Sequence, residues 1–561
     1  MKKTILFIIP LLLILMLTNC QKDQPDTSTE TTTVPPMIEL IKAGKCDYTV
    51  VYPDGADAAT VNLAKSIKTE LEKIASSPVK LESDWSKTGE YDDAALEILV
   101  GNTKHRQTTS VKSSIGYAEY AIRLIENKIV VTSWYGESLT VAVQQFVRQI
   151  RKQAEGNNLS MPADLEITGT QSKTVAALPA YTGGEPTQII NCGNGCYLLH
   201  VGESSKDEFE QYANELKKKG FELYTENTIG NNLSKTFVND EYTLHATYAD
   251  FDQSVRLTIE TRGALPSLEK DNVYDKLVDS SITQIGLEFP MANGNLAVGG
   301  LSYVIQLSDG SFIIIDGGFN RDIDADRIYN VLREKAPDKN NITITGWFLS
   351  HAHSDHVGGF EKFATKYSGV AKVETFILNF PSTTETLAQG FTDEKNITDS
   401  VFSHLRHFPD AKVIKVHTGQ KFFMKNAVID ILYTLDDLRP ASFADFNETS
   451  LVLSVKIEGQ RLLFLTDAHT NVCNLLVKMY REGLKSDFVQ LAHHGSFNAA
   501  TPQLYELVRP SVVLWPAGNN TYKSAKKRPE NMFLLSLDTV KEVHLAADTI
   551  ITIPLPWSPE S

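Results

Sequence analysis

The sequence lacks an excess of basic residues and has no apolar run long enough to span a bilayer near its start. Its 54 Lys and Arg are outnumbered by 69 Asp and Glu, and the formal net charge is −15. A general nucleic-acid-binding surface is basic, so this balance argues against one, although bound metal ions can still make a single cleft positive. The apolar run from Ile5 to Leu17 is interrupted by Pro10 and is shorter than the roughly 20 residues that cross a membrane. After the basic start Lys2-Lys3, the run is typical of a secretory signal rather than of a spanning helix.

Cysteine is also scarce, with five in 561 residues. Cys192 and Cys196 flank Gly193-Asn194-Gly195, a pattern that predicts a tight hairpin. Facing strand positions bring two thiols close enough for a disulfide in an exported protein. The alternative is a pair of unpaired core cysteines. A metal site here is disfavoured because no other group of ligand residues lies nearby in the sequence.

The first 36 residues indicate where the protein goes rather than how it folds. Leu17-Thr18-Asn19-Cys20 resembles the cleavage box of bacterial lipoproteins, with ordinary secretion as the alternative. The resemblance implies a signal peptide over 1–20 and a lipid on Cys20, which would hold an exported, extracytoplasmic protein at the cell-membrane surface. Residues 21–36 contain one large apolar side chain, Val34. They cannot offset the entropy cost of ordering, so we expect a disordered tether.

Two smaller modules are predicted before residue 280. From 37 to 175, strand-like and helix-like stretches alternate, and this order resembles the accessory α/β domain that precedes the catalytic barrel in bacterial glycoside hydrolases. From 180 to 270 the pattern is α+β, with a helix that Gly220 ends and a His245 that belongs to a sheet face. Both modules are candidates for binding a glycan or another envelope polymer.

The most informative stretch, 350–359, follows a run of β-branched and aromatic residues that predicts a buried strand. Four potential metal ligands lie there within six residues: His351, His353, Asp355 and His356. This density of nitrogen and oxygen donors suits a cation, and zinc is the usual one. Alternation along an extended chain puts His351 and His353 on one side, where both can reach one ion. Asp355 and His356 come where the chain turns towards a helix and face a second ion.

This His-x-His-x-Asp-His pattern resembles the signature of the metallo-β-lactamase-fold hydrolases. Leu463 to Asp467 resembles the strand that ends in the family's bridging Asp, and His493-His494-Gly495-Ser496 resembles its last metal motif. The resemblance covers residues 280–557 and implies an α/β protein whose C-terminal αββα sandwich follows two smaller α+β modules. It implies two zinc ions per chain, with manganese as an alternative. The implied metal ligands are His351, His353, Asp355, His356, Asp467 and His493.

The pair His493-His494 leaves open which imidazole binds metal. We prefer His493 because it comes first after the strand-like run Val489-Gln490-Leu491, and His494 then contacts the substrate. Asp355 is expected to act in catalysis as well as in metal binding. His417, near a turn, is more typical of a structural residue.

The chain departs from the family pattern in two places. Most members have a third His for the first metal ion, and the matching stretch here, Asn447 to Ser450, has none. The branch similar to the nuclease-like domain of competence DNA-uptake channels, and to surface phosphorylcholine esterases, also has Asn there. That branch continues Asn-Asn-x-Tyr-Gly-His-Pro, whereas this chain has Asn519-Asn520-Thr521-Tyr522-Lys523-Ser524. If that His completes the first metal site or protonates the leaving group, then either Tyr522 or Lys523 replaces it or the first site is weak. The basic run 523–528 is either a solvated loop or a phosphate contact.

The resemblance implies an exported hydrolase that uses a metal-activated hydroxide, so that no Ser nucleophile is needed. The branch points to a phosphodiester in a phosphate-linked envelope polymer, or in a nucleic acid that is bound as substrate alone. A lactone or other acyl ester is a second substrate class, since the same ions polarise a carbonyl. A surface binding protein with a degenerate metal site is the competing class, motivated by the two departures.

Overall fold

The computed structural model describes residues 36–269, 275–288 and 299–559. The predicted signal peptide, Cys20 and residues 21–35 of the tether lie outside the described residues. Within these ranges, no helix combines the length and the apolar character needed to cross a membrane.

The first module contains a six-stranded mixed sheet and a small antiparallel sheet. Its elements are β1 (Met37–Lys42), β2 (Lys45–Cys46), β3 (Thr49–Tyr52), α1 (Ala58–Glu72), β4 (Leu81–Ser83), β5 (Glu97–Val100), α2 (Arg106–Ser113), β6 (Glu119–Ile125), β7 (Lys128–Ser133), α3 (Gly136–Gln153), β8 (Ala154–Glu155), β9 (Asn158–Pro162) and β10 (Glu166–Thr170). The mixed sheet has the order β10-β6-β7-β5-β3-β4, and the alternation of strands and helices produces its parallel β7-β5-β3-β4 part. Helix α1 begins after Asp57, whose carboxylate accepts the Thr60 amide hydrogen at 2.7 Å.

The second module is a six-stranded antiparallel sheet in the order β11-β12-β16-β15-β14-β13. Its elements are β11 (Glu185–Gly193), β12 (Cys196–Gly202), α5 (Lys206–Lys218), β13 (Glu222–Ile229), β14 (Asn232–Val238), β15 (Tyr242–Ala249) and β16 (Ser254–Thr261), with the short α4 (Lys173–Ala176) before them. A capping box between Ser205 and Glu208 starts α5. Gly220, at φ +89°, allows the left-handed turn that ends it.

The C-terminal domain contains two sheets. The first is built from β17 (Ser281–Ile285), β18 (Tyr303–Gln306), β19 (Phe312–Ile315), β20 (Ile342–Phe348), β21 (Ala371–Val373), β22 (Thr375–Leu378), β23 (Lys412–Lys415) and β31 (Ile550–Pro554). The second is built from β24 (Lys421–Met424), β25 (Ala427–Tyr433), β26 (Val452–Ile457), β27 (Gln460–Phe464), β28 (Phe488–Gln490), β29 (Val512–Trp515) and β30 (Glu542–Leu545). Each sheet joins an antiparallel part to a parallel part, β19-β20-β22-β23 and β27-β28-β29-β30.

The two sheets pack face to face, with helices on both outer sides. These helices are α6 (Asp322–Lys335), α7 (Ser354–Tyr367), α8 (Thr383–Ala388), α9 (Thr392–Leu405), α10 (Thr470–Tyr480), α11 (Pro502–Val508), α12 (Asn519–Ala525) and α13 (Pro529–Ser536). Side chains such as Ile305 and Phe348 from the first sheet meet Leu453 and Phe464 from the second in a common core. Helices α6, α7 and α9 cover the outer face of the first sheet, and α10, α11 and α13 that of the second. This arrangement is the predicted αββα sandwich.

The second module is joined to the C-terminal domain by hydrogen bonds to its backbone. The Asn227 amide donates to the Gly419 carbonyl at 3.0 Å, and the Arg256 guanidinium donates to the Asp437 carbonyl at 3.2 Å. The His417 imidazole also lies 3.3 Å from the Glu260 carboxylate. Because Arg256 and His417 are buried, these contacts fix the module against the domain rather than leaving it on a free linker.

Candidate metal centre

The histidine-rich stretch begins just beyond β20 and runs into the first turn of α7. His351 and His356 are buried, whereas His353 and Asp355 are half-buried. The start of α7 lies so close to the loop after β19 that a Cβ on Gly359 would overlap the Gly317 carbonyl oxygen. Glycine at position 359 therefore lets the two segments meet, and this contact sets where His356 points.

Asp316, directly after β19, holds the stretch in place. Its carboxylate accepts hydrogen bonds from the Ser350 amide at 2.8 Å and the Ser350 hydroxyl at 2.6 Å. It also lies 2.7 Å from Nδ1 of His356, which must donate because a carboxylate only accepts. The Nε2 lone pair of His356 is thereby left free. A carboxylate on the far nitrogen is the usual support of a metal-binding His.

Three further side chains meet at this Nε2 atom. Asp467 follows β27, and its Oδ2 lies 3.1 Å from Nε2 of His356 and 3.3 Å from Nε2 of His494. Asp355 Oδ2 lies 3.4 Å from the same His494 nitrogen. His494 donates its Nδ1 hydrogen to the Pro516 carbonyl at 2.7 Å, so Nε2 is the nitrogen that carries the lone pair in the neutral, metal-binding form of this imidazole.

His351 and His353 contact each other next to this group. Nε2 of His351 is 3.0 Å from Nδ1 of His353, as expected for two imidazoles on one side of an extended chain. The potential ligand atoms of His351, His356 and Asp467 form one close group, and those of Asp355, His356 and His494 form another. Two adjoining groups of ligand atoms are thus present.

The unpartnered atoms of this cluster fit metal ions. Nε2 of His356, Nε2 of His494 and Oδ1 of Asp467 are buried, and although carboxylate oxygens lie 3.1–3.4 Å from the two nitrogens, none of the three atoms makes a hydrogen bond. Leaving three such atoms unsatisfied in an interior costs free energy, and a shared cation removes that cost. Burial lowers the pKa of His351 well below its usual range, and the neighbouring imidazoles act in the same direction. His351 is therefore neutral at pH 7, which is the state that binds a metal.

The structure places His494, and not the preferred His493, beside the two carboxylates. The stretch Ala492–Gly495 does not continue the strand but forms a 3₁₀ turn. Both imidazole-bearing residues are left-handed there, with φ +46° at His493 and φ +55° at His494. Because of this turn, the His494 imidazole lies beside the carboxylates of Asp355 and Asp467. His493 is half-exposed, and its Nδ1 lies 3.0 Å from the Phe497 carbonyl oxygen. His494 therefore lies among the candidate ligand atoms.

Tyr522, offered by the sequence as a substitute for the missing His, packs against Trp515 and Lys526. It lies in α12, where its ring packs edge-on against Trp515 at 4.9 Å and below the Lys526 ammonium at 5.1 Å. Trp515 in turn donates its indole hydrogen to the His494 carbonyl at 2.8 Å. Tyr522 thus supports the turn that carries His494 rather than replacing the missing His. Lys523, Lys526 and Lys527 are exposed on and just after α12.

The sequence argument missed His469, which lies two residues after Asp467. Its Nε2 is 3.0 Å from the amide nitrogen of Asn447, the residue at the place of the family's third His. Its ring lies 4.8 Å from that of His493. Asn447, His469 and His493 therefore form a polar row beside the ligand atoms. The sequence feature that could have identified His469 is its position two residues after Asp467, a predicted ligand at the end of a strand.

Elsewhere, the described residues bring together His245, Glu260 and His417 at the contact between the second module and the C-terminal domain. His417 Nδ1 lies 2.5 Å from Asp436 and Nε2 lies 3.3 Å from Glu260. The His245 and His417 rings stack at 4.0 Å with an interplanar angle of 24°. Stacked rings cannot both aim an in-plane lone pair at one ion, so this group is an imidazolium between two carboxylates rather than a second metal site.

A C-terminal αββα sandwich with a His/Asp cluster beyond the ends of its parallel strands defines a class of metal-binding domain. Residues 296–397 match the sequence model of the Metallo-beta-lactamase superfamily, and this range includes the whole first histidine motif. The chain thus contains a metallo-β-lactamase superfamily domain, and the predicted fold class is confirmed. No curated protein gives a significant sequence match.

Several solved structures are similar to the C-terminal half. The metallo-β-lactamase fold protein YhfI from Bacillus subtilis is 14% identical and covers 49% of this chain and 100% of its own, with a TM-score of 0.31. The short form of human tRNase Z is 14% identical, covering 49% and 98%, with a TM-score of 0.27. Unliganded yeast PDE1 is 12% identical, covering 50% and 100%, with a TM-score of 0.32.

Proposed function

We propose that this protein is an exported, metal-dependent phosphodiesterase held at the membrane surface by a lipid on Cys20. The observation that carries the hydrolase proposal is the convergence of buried, unpartnered donor atoms from His356, His494 and Asp467, with Asp355 and His351 beside them. Atoms of this kind, on separate segments of the fold, have little other use in a folded interior. Export and lipidation rest on the sequence of residues 1–20.

The residues present fit two divalent ions. His351, His353 and Asp467 would hold one, and Asp355, His356 and His494 would hold the other, with Asp467 shared. When bound, such a pair supplies an activated water at neutral pH and stabilises the charge that develops on the attacked centre. Zinc suits these nitrogen and oxygen donors, and manganese is the alternative.

The chain's own groups orient these ligands and move a proton. Asp316 fixes the tautomer of His356, and the Pro516 carbonyl fixes that of His494. His493 is held through Nδ1 by the Phe497 carbonyl, which leaves Nε2 facing outward from a half-exposed ring. We assign His493 as the group that protonates the leaving oxygen, the role for which the sequence offered Tyr522.

Two acidic side chains and one aromatic ring lie next to the histidines of the cluster. Glu394 lies 3.7 Å from Nε2 of His353, and Asp445 lies 3.7 Å from Nδ1 of His469. The Phe446 ring is 5.5 Å from the His353 ring. Carboxylates repel the closely spaced phosphates of a nucleic acid. Of the two polymer classes, we therefore favour a phosphate-linked envelope polymer, with the N-terminal modules as its binding surface.

Substrate class is tested by two substrates with the same leaving group. We expect the zinc-loaded full chain to release p-nitrophenol from bis(p-nitrophenyl) phosphate, and Asp467→Asn to lose this activity. The zinc-loaded chain should release p-nitrophenol from p-nitrophenyl acetate no faster than the Asp467→Asn variant does. Asp410→Asn, an exposed carboxylate outside the cluster, is the matched control. Metal-dependent release from the acetate alone would replace the phosphodiesterase proposal with the acyl-ester one. No release from either would favour the surface binding protein.

A further inference from the structure

Cys192 and Cys196 lie together in a buried pocket of the second module. They flank the turn between β11 and β12, where Gly193 pairs with Cys196. The pairing is irregular between Asn191 and Gly193, and this irregularity places Cys192 on the same side as Cys196. Both are buried in one small cluster with Leu198, and neither forms a disulfide. The exposed Asn194 between them brings the turn to the surface.

Two cations of the C-terminal domain face this pair. The Lys415 ammonium donates to Sγ of Cys196 at 3.1 Å. The hydrogen bond from Cys196 and then the Arg439 guanidinium hold the pKa of Cys192 below its usual value, whereas the pKa of Cys196 is raised. Cations beside a buried pair of thiols favour the thiolate form, which is the species that enters thiol–disulfide exchange.

We propose that Cys192 and Cys196 are a redox-active pair that closes to a disulfide by exchange with an oxidised dithiol carrier. The Cys192 thiolate attacks one sulfur of the carrier disulfide and releases the other as a thiolate. Cys196 gives its proton to that thiolate and attacks Sγ of Cys192, which releases the carrier's second sulfur. The pair loses two electrons and the one proton of Cys196, the carrier gains both, and the thiolate charge passes from Cys192 to the carrier's second sulfur.

The position of the pair gives its oxidation a structural consequence. A Cβ on Gly193 would overlap the Ser382 side chain, so the turn packs directly on the residue that caps α8. Arg439 binds Glu385 of this helix at 2.7 Å. Formation of the disulfide removes the Cys196 sulfur that accepts a hydrogen bond from Lys415, at the contact between the second module and the C-terminal domain. The proposal does not depend on the hydrolase activity.

The test is a redox titration of the purified full chain. The protein is equilibrated with reduced and oxidised glutathione in varied ratio, alkylated after denaturation and mapped by peptide mass. We expect the peptide with Cys192 and Cys196 to lose both alkyl groups together as the mixture becomes oxidising. Cys46 and Cys473, whose sulfurs contact backbone carbonyls, should stay alkylated throughout. The unsubstituted chain suffices, so misfolding of a variant cannot obscure the result.

A lysine variant separates a redox-active pair from two thiols that are merely close. Lys415→Met removes the cation that stabilises the reduced form, so the disulfide should become more stable by about tenfold in its equilibrium constant with glutathione. Lys412→Met, at an exposed position of the same strand, should leave that constant unchanged. Alkylation of both cysteines at every ratio, a lasting glutathione adduct on Cys192 alone, or equal constants for the two variants would overturn the proposal.

Discussion

Nδ1 of His356 lies 2.7 Å from the carboxylate of Asp316, and both side chains are fully buried. This bond is made inside the first sheet, at the end of β19, and it sets the direction of an Nε2 atom that Asp467 of the second sheet approaches to 3.1 Å. The candidate metal centre thus depends on Asp316, which orients a candidate ligand and is not one itself.

Asp316→Asn tests this dependence. An amide cannot hold the imidazole as a carboxylate does, so we expect the affinity for zinc to fall by about 10- to 100-fold. The measurement is zinc titration of the metal-free full chain by calorimetry. Excess zinc should restore turnover, which a general loss of folding would not permit. Unchanged affinity would show that Asp316 has no part in orienting His356.

The His493-His494 pair gives a second prediction. His494→Ala should lose bound zinc, because its Nε2 faces Asp467 and Asp355. His493→Ala should keep the zinc and lose about 10²- to 10⁴-fold in turnover, most strongly with poor leaving groups, as expected for a proton donor. Elemental analysis and rates over a series of leaving groups measure both effects, with the exposed His407→Ala as control. Loss of zinc in His493→Ala with retention in His494→Ala would restore the assignment based on sequence.

Much of this centre could be predicted from the sequence because its ligands follow strands. His351, His353, Asp355, His356 and Asp467 each lie within eight residues of the end of β20 or β27, and parallel strands align their carboxyl ends. The sequence favoured His493, whereas His494 lies beside the carboxylates, because two consecutive left-handed residues break the alternation that a continuing strand would have. A pair of histidines does not by itself predict such a turn.

Contacts between distant segments could not be predicted from local patterns. His417 meets Glu260 across 157 positions of sequence, and Asn447 meets His469 across 22. The start of α1 at Ala58 is indicated locally by Asp57, which caps it, whereas nothing in the local sequence marks its end at Glu72. The residue that caps a helix start is visible in the local sequence, whereas the end of a helix depends on its packing.

The contact between the second module and the C-terminal domain should weaken at alkaline pH. Although burial opposes it, the carboxylates of Asp436 and Glu260 raise the pKa of His417 to about 10. An unfolded His titrates near 6.5. The stabilisation is therefore fully present below about pH 6.5 and is lost as the pH rises towards 10.

Thermal unfolding of the native chain and His417→Gln measures this effect. The native chain should be the more stable of the two at pH 6, and the difference should shrink steadily towards pH 10. Comparing the two proteins at each pH cancels groups that titrate in both. A difference that stays constant from pH 6 to 10 would mean that His417 is not charged in the folded protein.

The close approach at Gly359 predicts a stability effect. Gly359→Ala places a methyl group against the Gly317 carbonyl, which must move along with α7. We expect a loss of about 1–3 kcal/mol in the free energy of unfolding, together with weaker zinc binding. Denaturant unfolding of the metal-free chain provides the measurement. Gly369→Ala, where a Cβ meets nothing within 4 Å, is the matched control and should not destabilise the protein.

The most direct measurement of the central claim is the metal content of the purified full chain, with turnover of bis(p-nitrophenyl) phosphate assayed on the same sample. The account predicts two zinc or manganese ions per chain, loss of turnover on chelation, recovery when metal is restored, and loss of both metal and turnover in Asp467→Asn. A chain that binds one ion or none and does not turn over the phosphodiester after metal is added would contradict it.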